Sequence, residues 1–206
     1  MTNQPAPPAP LTLGDCTQAD LPGVQAIYAE AVRTGTASFE LAPPDLPEMR
    51  ARWEKVTEAG FPWLVARAGN RVAGYAYANT YRPRPAYRGT VENSVYVDAA
   101  FRGQGVGRAL LGALLARCEA AGFRQMVAVI GDSQNMGSIA LHRALGFRDA
   151  GVLRSVGWKH GRWLDSVEMQ KPLGPGDTAP FDGLPGDRPQ GQRSGGAGTD
   201  GPPNRP

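Results

Sequence analysis

The sequence predicts an α/β fold. Apolar residues switch repeatedly between a two-residue and a helical period, a strand–helix–strand crossover stands mid-chain, and a glycine-rich turn opens the crossover helix. In chain order, residues 11–13 form a short strand, and a helix begins at Asp20 with Leu21, Val24, Ile27, Tyr28 and Ala31 at helical spacing. A loop over 34–42 leads to a second helix over 45–59. Residues 62–67 and 71–78 form a strand pair turning at Gly69-Asn70. A polar, Arg-rich loop over 79–88 precedes a strand over 92–97. Leu110, Leu111, Leu114, Leu115 and Cys118 mark a long apolar helix running to Ala121 and closed by Gly122. Residues 124–130 are rich in β-formers, 138–145 are helical with Gly146 as cap, and 147–170 fold as a hairpin turning at His160-Gly161. The order is β α α β β β α β α β β.

Composition bounds the rest. The chain has 206 residues, enough for one domain with extensions. No apolar run approaches the roughly 18 residues of a membrane span. The net charge of +3 falls short of a nucleic-acid arm, and no aromatic-basic alternation accompanies it. Cys16 and Cys118 lie far apart and make no ligand pattern with His142 and His160, so neither a disulfide framework nor a structural metal site is expected. Without a secretory signal at the N-terminus, the expected location is the cytoplasm, with both thiols reduced. Gly and Pro are abundant, 27 and 19 residues, and they concentrate at the ends. Residues 1–10 and 172–206 carry too little apolar surface to offset chain entropy and are expected to be disordered, leaving 11–171 as the folded domain.

The run Arg102-Gly103-Gln104-Gly105-Val106-Gly107-Arg108 lies between a strand and a helix. Its glycines let successive backbone N–H groups converge on an anion at the positive end of that helix, and pyrophosphate is the natural ligand. A Walker A loop needs Gly-Lys-Ser/Thr at its end, whereas Gly107 is followed by Arg108 and Ala109. A Rossmann fingerprint needs glycines at relative positions 1, 3 and 6, and these stand at 1, 3 and 5.

The pattern Arg/Gln-x-x-Gly-x-Gly/Ala in this run resembles the pyrophosphate loop of the GCN5-related N-acetyltransferases. The run from Asn135 through Ser138, Leu141 and His142 to Gly146-Phe147 is similar to the family's second signature. Two further runs, Thr90-Val91-Glu92-Asn93-Ser94-Val95-Tyr96-Val97 and Lys159-His160-Gly161-Arg162-Trp163-Leu164-Asp165, resemble the phosphinothricin and methionine sulfoximine/sulfone acetyltransferases. The resemblance implies the GNAT fold, a mixed, mostly antiparallel sheet with a splayed parallel pair and flanking helices. It implies acetyl-CoA as co-substrate, no metal, a small amino-acid-like amine as acceptor, and a homodimer.

Residue by residue, the resemblance implies main-chain contacts from Val95, Tyr96 and Val97 to the pantetheine arm. Arg102, Gly103, Gln104, Gly105, Val106, Gly107 and Arg108 would hold the pyrophosphate, and Asn135 and Ser138 would add contacts at the helix start. Asn135 is also a natural N-cap, and Val95 and Val97 are also natural sheet core. Glu92 corresponds to the family's general base, which an amine protonated at neutral pH requires. Backbone N–H near Val97 would meet an oxyanion. His142 stands where most members carry Tyr, as general acid or hydrogen-bond donor to the departing sulfur, with Tyr96 the alternative. Arg82, Arg84 and Arg88 lie where the subfamily gathers groups for the acceptor's acid, a task that suits a guanidinium fork, and they fit a solvated loop as well. Phe39 is a further expected substrate contact, while Trp158 and Trp163 are expected in core or dimer packing. The rival readings are an acetyltransferase for another amine, an aminoglycoside or a protein N-terminus, and an acyl-CoA sensor without turnover.

Overall fold

The computed structural model describes residues 10–185. The expectations for residues 1–9 and 186–206 lie outside the described residues. Strand β1 (Leu11–Asp15) leads into α1 (Leu21–Thr34) and α2 (Leu46–Glu58), then β2 (Trp63–Ala68), β3 (Arg71–Thr80) and β4 (Thr90–Val97). Helix α3 (Val106–Ala120), β5 (Gln125–Gly131), α4 (Met136–Ala144), β6 (Arg148–Lys159) and β7 (Arg162–Pro172) complete it. The order of strands and helices is the expected one. Differences are confined to ends: β1 runs two residues further, β3 runs to Thr80, and the Arg-rich loop contains a short helical turn, Pro85–Tyr87.

The seven strands form one sheet in the order β1-β2-β3-β4-β5-β7-β6. Every neighbouring pair is antiparallel except β4 and β5, which the α3 crossover makes parallel. Local chemistry sets the element ends. Asp45 caps α2 by accepting from Glu48 N at 2.8 Å, and Asn135 Oδ1 caps α4 by accepting from Ser138 N at 3.3 Å. The hairpin of β6 and β7 turns at His160 and Gly161, both with positive φ, as a two-residue turn that follows strand twist requires.

Alternation along β4 divides two cores. Val91 points to a core built with Leu110, Leu111 and Leu114 of α3, Ile139 of α4, and Met126 and Ile130 of β5. Tyr96 points the other way, against a core of Leu21, Val24, Tyr28, Trp63 and Tyr75 under α1 and α2. There Trp63 stacks on Tyr77 at 4.2 Å, and Tyr96 stacks on Tyr75 and meets Tyr28 edge-on. The fold also runs past the expected boundary at residue 171. Leu173 is buried, Leu184 packs on the first core, and Arg124 hydrogen-bonds carbonyls of residues 176, 179 and 180. Counting apolar side chains missed this because the segment is held largely through its main chain.

Candidate active site

The parallel pair is incomplete. Thr90 to Asn93 of β4 lie against Gln125 to Ala128 of β5, and there the register ends. On its other edge β4 stays paired with β3 as far as Val97 opposite Gly74. From Ser94 to Val97 the β5-facing edge of β4 is therefore unpaired with β5, and a cleft of about 810 Å³ opens along it. Val95, Tyr96 and Val97 line one side, and Asn135, Gly137, Ser138 and Leu141 from the start of α4 line another. At the apex of the splay a smaller cavity of about 50 Å³ is bounded by Asn93, Ser94, Ala128, Ile130 and His142.

At the far end the cleft is closed by Arg102, Gly103, Gly105, Val106, Gly107 and Arg108. Gly103 and Gly105 have φ of 74° and 82°, and a Cβ built on either would meet no protein atom within 4 Å. Gly105 is the N-cap of α3, and no side chain caps that end, so the helix presents its first-turn N–H groups to the cleft. Gly107 lines the cleft as well, and its missing Cβ makes room for Leu141 and Val97. The side-chain nitrogen of Gln104 turns back to donate to Ala100 O at 2.8 Å, so any contact of this residue with the anion falls to its main chain.

Glu92 and His142 stand on opposite faces of the sheet. Glu92 shares its face of β4 with Ser94 and Tyr96, on the α1 side, while Asn93 points to α4 and meets His142. Burial and the nearby Glu168 push the Glu92 carboxyl above its ordinary range, and Arg82 opposes them. Glu92 lines neither cavity and sits one residue before Asn93 at the apex of the splay; a half-buried carboxylate with a raised pKa is a fit proton acceptor.

His142 is 2% exposed, and both of its ring nitrogens are engaged. Nδ1 lies 2.8 Å from Ser138 O, an atom that can only accept, so Nδ1 carries the proton. Nε2 then accepts from Asn93 Nδ2 at 2.9 Å. Burial pushes the imidazole pKa down against the raising influence of the Ser138 bond, which keeps the ring neutral. As placed, His142 has no proton aimed into the cavity, and the expectation of a general acid meets this obstacle. Among the described residues, Asn93 Oδ1 is buried and has no hydrogen-bond partner. Tyr96 lines both cavities, and burial with the neighbouring phenols of Tyr28 and Tyr77 raises its pKa well above the usual phenol range, so it keeps its proton.

The remaining expected residues lie apart from the cleft. Arg82 sits over the Tyr81 ring at 5.1 Å on the exposed loop, close enough to act on the charge of Glu92. Arg84 is exposed on the same loop. Phe39 lines neither cavity and packs over Gly157 of β6. Trp158 and Trp163 form an edge-on pair at 5.3 Å and are 56% and 60% exposed, which removes them from the core. The expectation missed Asp132 and Arg162, which pair across the mouth of the cleft. Burial alone would raise the Asp132 carboxyl, but Arg162, Gln134 N and Thr36 hold it below its ordinary value. Asp132 thereby ties the turn before α4 to the β6–β7 hairpin. Arg162 lay in a quoted motif, and its partner had no local signal. Cys16 and Cys118 are buried thiols pushed up to about 12, unsuited to nucleophilic work.

The model of the Acetyltransferase (GNAT) family matches residues 24–147. The chain belongs to this family. It is an N-acetyltransferase that uses acetyl-CoA, and the unpaired strand edge, the open turn at Gly103 and Gly105 and the uncapped end of α3 fit that co-substrate. It is 60% identical over 159 residues to the phosphinothricin N-acetyltransferase of Alcaligenes faecalis, covering 77% of this chain and 81% of that one. It is 46% identical to the L-methionine sulfoximine/L-methionine sulfone acetyltransferase of Pseudomonas aeruginosa, over 82% of this chain and 98% of that one. Among solved structures, a phosphinothricin acetyltransferase from Sinorhizobium meliloti in complex with acetyl-CoA superposes with a TM-score of 0.82 at 47% identity, covering 86% of this chain and 96% of that one.

The Asn93 contact makes a prediction about His142. Nitrogen-15 spectra of the enzyme at pH 6.5 should show His142 neutral with the proton on Nδ1. Asn93→Asp should place a negative charge at Nε2 and raise the imidazole pKa. An unchanged His142 titration in that variant would show that Asn93 does not govern the ring.

Proposed function

We propose that this enzyme acetylates the amine of a small amino-acid-like acceptor of the phosphinothricin, methionine sulfoximine or methionine sulfone type, by direct attack with Glu92 as general base. The names of the relatives support the acceptor class. The placement of Glu92, half-buried beside the splay with a raised pKa, supports the base. Acetyl-CoA supplies the activated acyl carbon. Gly103, Gly105 and the start of α3 hold its pyrophosphate, and the edge of β4 from Ser94 to Val97 offers main-chain partners to the pantetheine arm. Glu92 takes a proton from the incoming ammonium, directly or through a water. Arg82 and Arg84, on the loop leading to β4, meet the acceptor's acid group and disfavour a polycationic aminoglycoside. Phe39, between α1 and α2 and packed over Gly157 of β6, closes the acceptor side. His142 is the wall of the acyl cavity, and Tyr96, which keeps its phenolic proton, is the alternative donor toward the departing sulfur.

We assign the enzyme to the cytoplasm and to a homodimer. Trp158 and Trp163, with exposed Leu153 and Val156 on the edge strand β6, form an apolar surface that a second copy would cover. Sedimentation equilibrium should give twice the chain mass, and Trp163→Glu should halve it; an unaltered dimer in the variant would place the interface elsewhere.

A thiol-release assay with acetyl-CoA against phosphinothricin, methionine sulfone, methionine sulfoximine and an aminoglycoside tests the acceptor class. Turnover confined to the aminoglycoside would overturn it. Glu92→Gln should lower kcat by about 10² to 10⁴. Because the base must be ionised, kcat/KM should fall as pH drops through the raised Glu92 pKa. Glu168→Gln removes a neighbouring negative charge and should move that acidic limb to lower pH, while Arg82→Ala should move it higher. An acidic limb indifferent to both variants would exclude Glu92 as its source.

A further inference from the structure

Arg124, the residue before β5, joins three segments at the end of the sheet remote from the glycine-rich turn. Its N–H donates to Gly89 O at 2.8 Å, and its carbonyl accepts from Leu173 N at 2.9 Å. Its guanidinium donates to three main-chain carbonyls of the segment after β7: Gly176 O at 2.8 Å, Ala179 O at 2.7 Å and Pro180 O at 3.3 Å. A planar fork with five donors suits such a task, since one side chain fixes several turns of an irregular chain.

The segment held this way returns to the Arg-rich loop. The ring of Phe181 lies on Gly89 so closely that a Cβ there would sit 3.0 Å from the ring edge. The Arg88 guanidinium stands 5.3 Å from the centre of the same ring. Leu184 packs on the main core and Pro185 lies against Gly122, which anchors the far end. The loop itself is closed by Tyr81 and Tyr87, edge to face at 5.7 Å, with Arg82 over Tyr81. It ends at Gly89, and Glu92 follows on β4.

We propose that Arg124 and Phe181 are positioning residues, which use residues 174–185 as a strap to hold the loop of Arg82 and Arg84 in its acceptor-facing arrangement. The inference rests on the reading of that loop as the acceptor-binding segment. The strap fixes the end of the loop that runs into β4, while Glu92 itself is held in register by Asn79 of β3 and Val127 of β5. Ordering a loop before the ligand arrives lowers the cost of binding, and the effect falls on the acceptor rather than on acetyl-CoA, whose cleft lies at the other end of β4.

The test compares the full chain with Phe181→Ala and with a chain ended after Gly174. Hydrogen exchange in residues 82–89 should quicken in both variants. The KM for methionine sulfone or phosphinothricin, whichever is turned over, should rise about three- to tenfold, with kcat and the KM for acetyl-CoA within about twofold of the parent. Unchanged exchange in 82–89 in Phe181→Ala would overturn the proposal. So would a joint loss in kcat and both KM values, which marks general destabilisation. Quicker exchange with an unaltered acceptor KM would leave the strap holding the loop and overturn the reading of that loop as the acceptor segment.

Discussion

Backbone N–H and C=O groups in a folded chain are paired or solvated, and a strand inside a sheet normally satisfies both edges. Strand β4 satisfies one edge throughout and the other only as far as Asn93. β5 stays paired with β7 along its whole length, from Gln125 opposite Pro172 to Gly131 opposite Ser166, and beyond Ala128 it parts from β4. The four residues Ser94 to Val97 are left with an open edge at the floor of a cleft. Everything functional is arranged around that break: the turn at Gly103 and Gly105 follows the end of β4, α4 begins across the cleft at Asn135, and Glu92 stands just inside the last paired residues.

The sheet also separates two kinds of chemistry. On the α4 side His142 is neutral, enclosed and bonded at both nitrogens, which suits a wall beside an acyl group. On the α1 side Glu92 is flanked by Glu168 and Arg82, whose opposing charges tune it, with burial setting the direction. Asp132 and Arg162 belong to neither role. Their ion pair joins the turn before α4 to the β6–β7 hairpin, so the geometry of the cleft mouth depends on a hairpin distant in sequence.

The glycine-rich turn, the order of the elements, the cap at Asn135 and the hairpin at His160-Gly161 were legible because each rests on local chemistry. The side chains of β4 were legible as a pattern, although which face each serves depends on the helices packed there. Three features were not legible. The Asp132–Arg162 pair spans 30 residues and carries no spacing rule. The proton position on His142 is decided by Ser138 O and by Asn93, the latter 49 residues away. Residues 172–185 looked unfoldable because their main chain, not their side chains, provides most of the attachment to Arg124.

Amide hydrogen exchange with and without coenzyme A reads the open edge of β4 directly. The expected result is rapid exchange within Ser94 to Val97 and Gly103 to Arg108 in the free enzyme and marked protection of both on binding, with Thr90 to Asn93 slow in both states. Protection confined to other segments, or slow exchange of Ser94 to Val97 in the free enzyme, would contradict it.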